Sequence, residues 1–153
     1  MMVAGAAGIW WVLTFAVQPL RVESNSMAPT YRDGDLLVVD GLSVGVPGPV
    51  RHDVVIVTSP LTGQLLVKRV AAVAGDQIGI ADGVLVVNDT PVPERYVDQN
   101  LMDSVYFGPV TVPRGAVFVL GDNRSSSVDS RDFGPVPVAD VRGRVLAKVS
   151  PLW

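Results

Sequence analysis

The feature of this sequence that most constrains its fold is a series of short apolar runs rich in valine, leucine and isoleucine. β-Branched residues favour strands, and no long stretch after Pro19 repeats with the 3.6-residue period of an amphipathic helix. Turn residues separate the runs, which are residues 36–39, 54–57, 65–73, 84–87, 116–120 and 145–149. We therefore predict a mostly β domain, barrel-like or a sandwich, built from short antiparallel strands.

The first 17 residues, MMVAGAAGIWWVLTFAV, contain no charged side chain. A spanning helix needs about 20 apolar residues, so residues 1–17 are predicted to be one N-terminal transmembrane anchor, which can be incomplete at this length. Residues 18–153 then form the β-rich domain. The alternatives are a buried core helix and a cleaved signal peptide, and the lack of a basic stretch before the apolar run argues against the latter. Arg21 and Arg32 follow the run, so the positive-inside tendency conflicts with an exported domain.

Composition excludes several classes of protein. The chain has 153 residues, enough for one domain, with a net charge of −3 and no block of lysine or arginine, so nucleic acid is not an expected partner. Without cysteine there is no thiol nucleophile and no thiolate-bound zinc. The single histidine, His52, comes just before an apolar run, and a structural or surface role suits it better than a catalytic triad.

Lys68 is one of only two lysines and lies inside an otherwise apolar run beside Arg69. Adjacent side chains in a strand point to opposite faces, so one of this pair is predicted to face inward and the other outward. Burial disfavours the ammonium form and lowers a lysine pKa by up to about 5 units, which would produce a base that works near neutral pH. The alternative is an ion-paired or snorkelling lysine on an edge strand.

Two clusters carry hydroxyl and charged groups. Ser24 and Ser26 lie two residues apart in SNSMAPT, so in an extended chain one hydroxyl could attack a carbonyl while the other stabilises the oxyanion. Residues 121–134, GDNRSSSVDSRDFG, follow an apolar run and offer donors, acceptors and charge pairs for a fixed hydrogen-bonded shell. An ordinary turn and a solvated loop remain the alternatives for these two clusters.

Four stretches of the chain resemble, in order and spacing, the sequence boxes of bacterial type I signal peptidases, the leader peptidases with a Ser-Lys dyad. They are residues 24–30, 51–57, 68–76 and 121–134. The first is similar to Ser-x-Ser-Met-x-Pro-Thr, and the last matches Gly-Asp-Asn-Arg-x-x-Ser-x-Asp-Ser-Arg-x-x-Gly at every fixed position. The departures are His52 and Ala72, where glycine is usual, and Ala74, where proline is usual.

The resemblance implies a role for several residues. It implies that Ser26 is the nucleophile and Lys68 the general base, with no metal or organic cofactor. It also implies an oxyanion hole formed by the backbone N–H of Ser26 and the hydroxyl of Ser24. The supporting shell that it implies, a hydroxyl that orients the lysine and a salt bridge, consists of Ser127, Asp129 and Arg131.

The function that the resemblance implies is a membrane-bound serine endopeptidase that removes signal peptides from exported preproteins after small residues in an Ala-x-Ala-like pattern. The preprotein would bind as an added β-strand, and a single-pass anchor in the lipid bilayer would leave the catalytic domain on the extracytoplasmic side. One alternative is a self-cleaving repressor-type Ser-Lys peptidase, which would need a DNA-binding segment upstream. The other is a catalytically idle, membrane-tethered binding domain, against which the presence of Ser26 and Lys68 argues.

Overall fold

The chain folds into two antiparallel β-sheets. The computed structural model describes residues 17–42, 44–45, 47–98 and 106–149. The strands are β1 (Val17–Arg21), β2 (Leu36–Asp40), β3 (Val54–Thr58), β4 (Leu65–Val73), β5 (Gln77–Ala81), β6 (Val84–Val87), β7 (Thr90–Pro91), β8 (Phe107–Thr111), β9 (Ala116–Leu120), β10 (Val136–Pro137) and β11 (Val141–Val149). Two short helical turns, α1 (Ser130–Phe133) and a 3-10 turn (Val138–Asp140), lie between β9 and β11. The prediction of a mostly β domain of short antiparallel strands is confirmed.

The larger sheet has seven strands in the order β1-β2-β11-β3-β4-β9-β10, and the smaller has four in the order β7-β6-β5-β8. The last strand, β11, is inserted between β2 and β3, so it ties the first hairpin to the rest of the sheet. Although three strands separate β1 from β4 in this order, both strands line a single groove. The seven-stranded sheet is therefore curled.

Strand β9 shows how the two sheets share a core. Its five side chains are all buried, and they alternate between two apolar clusters. Phe118 packs with Ile78 and Leu85 of the four-stranded sheet, whereas Val117 and Val119 pack on the other side of β9. A strand covered on both faces reads as a continuous apolar run, which is why residues 116–120 contain no polar residue.

Every predicted apolar run lies within or coincides with a strand, but five of the described strands had no such run: β1, β5, β7, β8 and β10. Strand β1 contains Pro19, which removes a backbone donor, and it lies at the edge of the sheet, where proline is tolerated. The predicted anchor, residues 1–17, lies outside the described part of the chain except for Val17, which begins β1. No helix in the part that the structure describes is long and apolar enough to cross a membrane.

Candidate active site

Ser24 and Ser26 lie in the connection between β1 and β2, where the chain leaves the sheet after Arg21. Buried Met27, 1% exposed, holds this connection to the core. The two hydroxyl oxygens lie 3.2 Å apart, so they point to the same side of the connection. Such a pair can place one hydroxyl to attack a carbonyl and the other to hydrogen-bond the oxygen that becomes negative.

Lys68 lies in the middle of β4 and is only 2% exposed. Its Nζ donates a hydrogen bond to the Oγ of Ser127 at 3.0 Å. Burial is the largest influence on this amine and lowers its pKa from 10.5 to about 8, against the opposing attraction of the Asp129 carboxylate. A substantial fraction of the amine is therefore neutral near pH 8, where it can accept a proton.

Arg69 points to the opposite face of β4 from Lys68. The sequence predicted that the residue facing away from Lys68 would point outward, but the side chain of Arg69 is largely covered. Its guanidinium donates to both carboxylate oxygens of Asp122, at 2.8 and 2.7 Å, and its side chain is 12% exposed. The ring of Tyr96 lies 3.9 Å from the guanidinium carbon and covers it. Paired and stacked in this way, an arginine can be covered without losing its hydrogen bonds.

Asp129 organises the segment that follows β9. Its carboxylate is buried and accepts hydrogen bonds from the backbone N–H of Gly121 at 3.0 Å and from Arg131 at 2.8 and 2.9 Å. Burial alone would raise the pKa of Asp129, but the hydrogen bonds and charge of Arg131 outweigh it and hold that pKa below its usual value. The carboxylate also caps α1, so it closes residues 121–131 into one rigid turn.

Gly121 marks the point where the serine connection meets that turn. A Cβ at this position would lie 2.2 Å from the Oγ of Ser127 and 2.5 Å from the carbonyl oxygen of Ser26. The same carbonyl accepts a hydrogen bond from the backbone N–H of Asn123 at 3.0 Å. No side chain fits at position 121, so a glycine there lets the connection between β1 and β2 approach the hydroxyl that holds Lys68.

The structure thus brings the predicted residues into two adjoining groups, which meet at Gly121. One group holds the two serines of the β1–β2 connection. The other is centred on the lysine amine and its support, and consists of Lys68, Ser127, Asp129 and Arg131. His52 belongs to neither group: it is exposed, adopts a φ of 76°, and contributes its backbone carbonyl to Arg69 at 3.0 Å.

The reasoning from sequence did not single out Glu94 and Tyr96. Glu94 forms a buried ion pair with Arg124, and Tyr96 donates to Glu94 at 2.9 Å while stacking on Arg69. These two residues lie in PVPERYVDQN, a stretch with neither strand alternation nor a catalytic motif, so no local signal marks them. Their partners are distant in sequence and come together only in the fold.

A groove of about 450 Å³ lies beside the two serines. It runs between the end of β1 with the serine connection and the first half of β4, and its lining residues are Leu20, Arg21, Val22, Glu23, Ser24, Ser26, Gln64, Leu65, Leu66 and Val67. A smaller cavity of about 260 Å³ lies on the four-stranded sheet and contains none of the predicted site residues. Of these two cavities, only the groove is lined by predicted site residues, Ser24 and Ser26.

A curled antiparallel β-fold with a groove beside two serines and a buried lysine of lowered pKa is the arrangement expected of a hydrolase of the serine peptidase class. The family model described as "Signal peptidase, peptidase S26" matches residues 1–150. The chain is 38% identical over 156 residues to signal peptidase I of Bacillus caldolyticus, covering 89% of this chain and 85% of that one. The chain belongs to the peptidase S26 family of signal peptidases, as the resemblance of its sequence boxes predicted.

Two further comparisons agree. The chain is 34% identical over 142 residues to probable thylakoidal processing peptidase 2 of Arabidopsis thaliana, covering 88% of this chain but 38% of the plant protein. It also resembles the crystal structure of a signal peptidase I from Enterococcus faecalis, with a TM-score of 0.56 and 35% identity over 65% of this chain and 97% of that one. The chain therefore spans most of the bacterial relatives but well under half of the plant protein.

Proposed function

We propose that this protein is a membrane-bound endopeptidase that removes N-terminal signal peptides from exported preproteins, cutting after small residues in an Ala-x-Ala-like pattern on the extracytoplasmic side. The names of the bacterial and thylakoidal relatives support the substrate class. The observation that carries the proposal is the buried amine of Lys68, which has a pKa lowered to about 8 and is held by Ser127 behind the serine connection.

In the proposed mechanism, Ser26 Oγ attacks the carbonyl of the scissile bond while neutral Lys68 Nζ takes the hydroxyl proton. The backbone N–H of Ser26 and the hydroxyl of Ser24 stabilise the oxyanion, a contribution worth about 3–4 kcal/mol per donor in other serine hydrolases. The ammonium of Lys68 then protonates the leaving amine. A water molecule, deprotonated by the same lysine, hydrolyses the acyl-enzyme and frees Ser26.

The substrate is proposed to bind as an extra strand in the groove. Strand β1 is an edge strand, and the pairing of β4 with β9 begins only at Arg69, so among the described strands the first part of β4 pairs with β3 alone. Backbone groups on both walls of the groove are thus free to pair with an extended peptide. Residues 20–24 and 65–67 would supply these two walls.

The experiment that tests this function measures cleavage of an Ala-x-Ala signal-sequence peptide in detergent. We expect Ser26→Ala and Lys68→Ala to lose turnover while remaining folded. Ser126→Ala and Lys148→Ala, which change an exposed serine and the other lysine, are the matched controls and should cleave normally. Full turnover in either of the first two variants would assign the activity to other residues.

The pH dependence gives an independent check on the role of Lys68. Only the neutral amine accepts the proton, so kcat/KM should be low in acid and rise as pH increases through about 8. The measurement is a kcat/KM profile between pH 5 and 10 with the same peptide. A profile that is flat over this range would contradict the assignment of Lys68 as base.

The proposed membrane anchor has its own test. Removing residues 1–17 should preserve cleavage of a short soluble peptide, because the groove and both site groups lie between residues 20 and 131. Cleavage of a membrane-bound preprotein should fall, because the anchor would no longer hold the enzyme beside its substrate. Equal loss on the two substrates would contradict this division of roles.

A further inference from the structure

We propose that Glu94 is a positioning residue for the reaction: through Arg124 it fixes the turn that holds Ser26 and Ser127 in place. This inference rests on the proposed function, since it concerns the same pair of reacting groups. It assigns a task to the segment between β7 and β8, residues 92–98, which carries none of the motifs that mark the active site.

The contact between Glu94 and Arg124 is bidentate and buried. Arg124 donates to the two carboxylate oxygens of Glu94 at 2.7 and 2.6 Å, and the two side chains are only 5% and 4% exposed. Two parallel charge-assisted hydrogen bonds fix the direction of the guanidinium as well as its distance. Glu94 therefore determines where the Nε–H of Arg124 points.

That N–H reaches the start of the turn formed by residues 121–131, which is called the catalytic turn below. The Nε of Arg124 donates to the backbone carbonyl of Gly121 at 3.0 Å. Gly121 is the residue that lies against both Ser127 Oγ and the Ser26 carbonyl, and Asn123, two residues on, donates to the same Ser26 carbonyl. A displacement of the Gly121 carbonyl would therefore change the position of the nucleophile relative to the hydroxyl that holds the lysine.

A second connection from the same segment reaches the other side of the turn. Tyr96 donates to Glu94 and covers the guanidinium of Arg69, and Arg69 in turn holds the carboxylate of Asp122. The carbonyl of Gly121 and the side chain of Asp122 are thus each held by an arginine that contacts a residue of the segment 94–96. Two contacts on one turn, linked through the hydrogen bond from Tyr96 to Glu94, explain how the segment can act on a site that it does not line.

Stability alone is a weak reason for such a buried ion pair. Removing two charges from water costs free energy that their attraction often fails to offset, and apolar residues of similar size usually serve the core as well or better. A pair in this setting is better explained by geometry, because it sets an orientation that apolar packing would leave loose. Here the orientation in question is that of the Gly121 carbonyl.

The proposal predicts a specific kinetic pattern for Glu94→Gln. Misplacing Ser26 relative to Lys68 should lower kcat by about 10- to 100-fold. The Michaelis constant should change little, because the groove is lined by residues 20–24, 26 and 64–67, and in the described part of the chain none of these forms a hydrogen bond with Glu94 or Arg124. If Glu94→Gln only lowered the stability of the fold and left Ser26 in place, kcat of the folded enzyme would be unchanged, and this result would contradict the proposal.

A titration of Lys68 supplies a second readout that needs no substrate. The charges that act most strongly on Lys68 are Asp129, Arg131, Asp132 and Asp122, and Glu94 is not among them. Deleting the negative charge of Glu94 would by electrostatics alone lower the pKa of Lys68 slightly. A loosened turn admits water to the amine and raises that pKa, so the sign of the change separates the two effects.

The experiment is an NMR titration of the full chain in detergent, labelled with nitrogen-15 lysine. The chain has two lysines and so gives two side-chain ammonium signals, of which that of Lys148 serves as the internal reference. The variants are Glu94→Gln and the double variant Glu94→Leu with Arg124→Met, which keeps the core filled but removes the hold on Gly121. Asp76→Asn is the matched control, because Asp76 pairs with Arg51 and Asn88 away from the catalytic turn. Both Glu94 variants should show the loss of kcat and a raised Lys68 pKa, and the control should show neither.

The outcomes separate this proposal from the proposed function. Wild-type kcat and an unchanged or lowered Lys68 pKa in the folded double variant would overturn the positioning role. A wild-type enzyme that cleaves no signal-sequence peptide would overturn the function instead. In that case a raised Lys68 pKa in the Glu94 variants would still support positioning of the amine, because the titration does not depend on turnover.

Discussion

The four-stranded sheet and the segment after β9, residues 121–134, both pack on the seven-stranded sheet, but different forces hold them. The four-stranded sheet is held by apolar side chains, among them Ile78, Ile80, Leu85 and Val87, which meet Phe118 of β9. The segment after β9 buries charged and polar side chains instead, and these are Asp122, Arg124, Asp129 and Ser130. One strand, β9, carries apolar packing on its faces and leads directly into a network of ion pairs.

The difference shows where the molecule gives up stability for geometry. Apolar contacts are non-directional and tolerate small shifts, so the four-stranded sheet needs only matching volumes. Hydrogen-bonded ion pairs are directional, and each buried member depends on its partner, since an unpaired buried charge is costly. The site needs direction, and its neighbourhood is accordingly the part of the fold in which single substitutions should matter most.

The largest effect is expected from Arg131→Met. It leaves the buried carboxylate of Asp129 without the guanidinium that donates to it at 2.8 and 2.9 Å. Breaking one partner of a buried pair costs about 3–5 kcal/mol, so we expect a loss of that size in the free energy of unfolding at pH 7. Chemical denaturation measures it. Arg142→Met is the control, because its pair with Asp140 is about half exposed, at 54% and 45%, and should contribute less than about 1 kcal/mol.

The pH dependence of this loss tests its cause. In the wild type the pKa of Asp129 is below its unfolded value, so its contribution to stability is present at neutral pH and is lost as pH falls through the folded pKa. Without Arg131, burial would raise that pKa, and protonation would remove the unpaired charge. The deficit of Arg131→Met should therefore be smaller at pH 5 than at pH 8, and a deficit independent of pH would point to lost packing.

A smaller effect of opposite sign is expected from Lys68→Met, which removes a charge that the fold holds at a cost. The folded pKa of about 8 lies below the unfolded 10.5, so the cost is fully present below pH 8 and disappears as pH rises towards 10.5. This difference corresponds to about 3 kcal/mol, from which the lost hydrogen bond to Ser127 subtracts about 1 kcal/mol. The Lys68→Met variant should be more stable by about 2 kcal/mol at pH 7 and show no gain near pH 10.5 in denaturation experiments.

The same comparison explains which parts of the fold the sequence predicts. Strands such as β3 and β9 are buried by contacts on both faces, so their apolar β-branched runs identify them. Strands β1 and β8 contain prolines, and their strand character comes from pairing with β2 and β5 rather than from local composition. Local pattern therefore predicted the strands with continuous apolar runs and missed those that depend on a neighbour, together with β5, whose core residues Ile78 and Ile80 are separated by a glycine.

The site divides in a similar way. The residues of the sequence boxes could be singled out beforehand, because the proposed chemistry would require a serine, a lysine and their donors at set positions along the chain, and their catalytic roles stay predictions. Glu94 could not, because its only signal is a bidentate contact with Arg124, 30 residues away, that exists once both sheets are formed. Long-range ion pairs leave no periodic trace in a sequence.

In the apolar region a substitution should have a moderate effect that does not depend on pH. Ile78→Val removes one methyl group from a side chain that is 0% exposed in the core of the four-stranded sheet. Such a change typically costs about 0.5–1.5 kcal/mol. Denaturation at pH 5 and pH 8 should give the same loss, and kcat of the folded enzyme should match the wild type. A marked loss of kcat would mean that this sheet contributes to the site through more than Glu94 and Tyr96.

The smallest effect is expected at His52, whose backbone conformation places the carbonyl that accepts a hydrogen bond from Arg69. His52 adopts a φ of 76°. Residues other than glycine are strained at a positive φ of this size. Glycine removes the strain but loses more freedom on folding, so His52→Gly should stabilise the protein by only about 0.5 kcal/mol. His52→Ala is the matched control: it removes the ring, which lies 6.3 Å from that of Tyr96, but keeps the strain and should give no gain. Equal stabilisation by both variants in thermal denaturation would show that the imidazole, and not the backbone, is the unfavourable element.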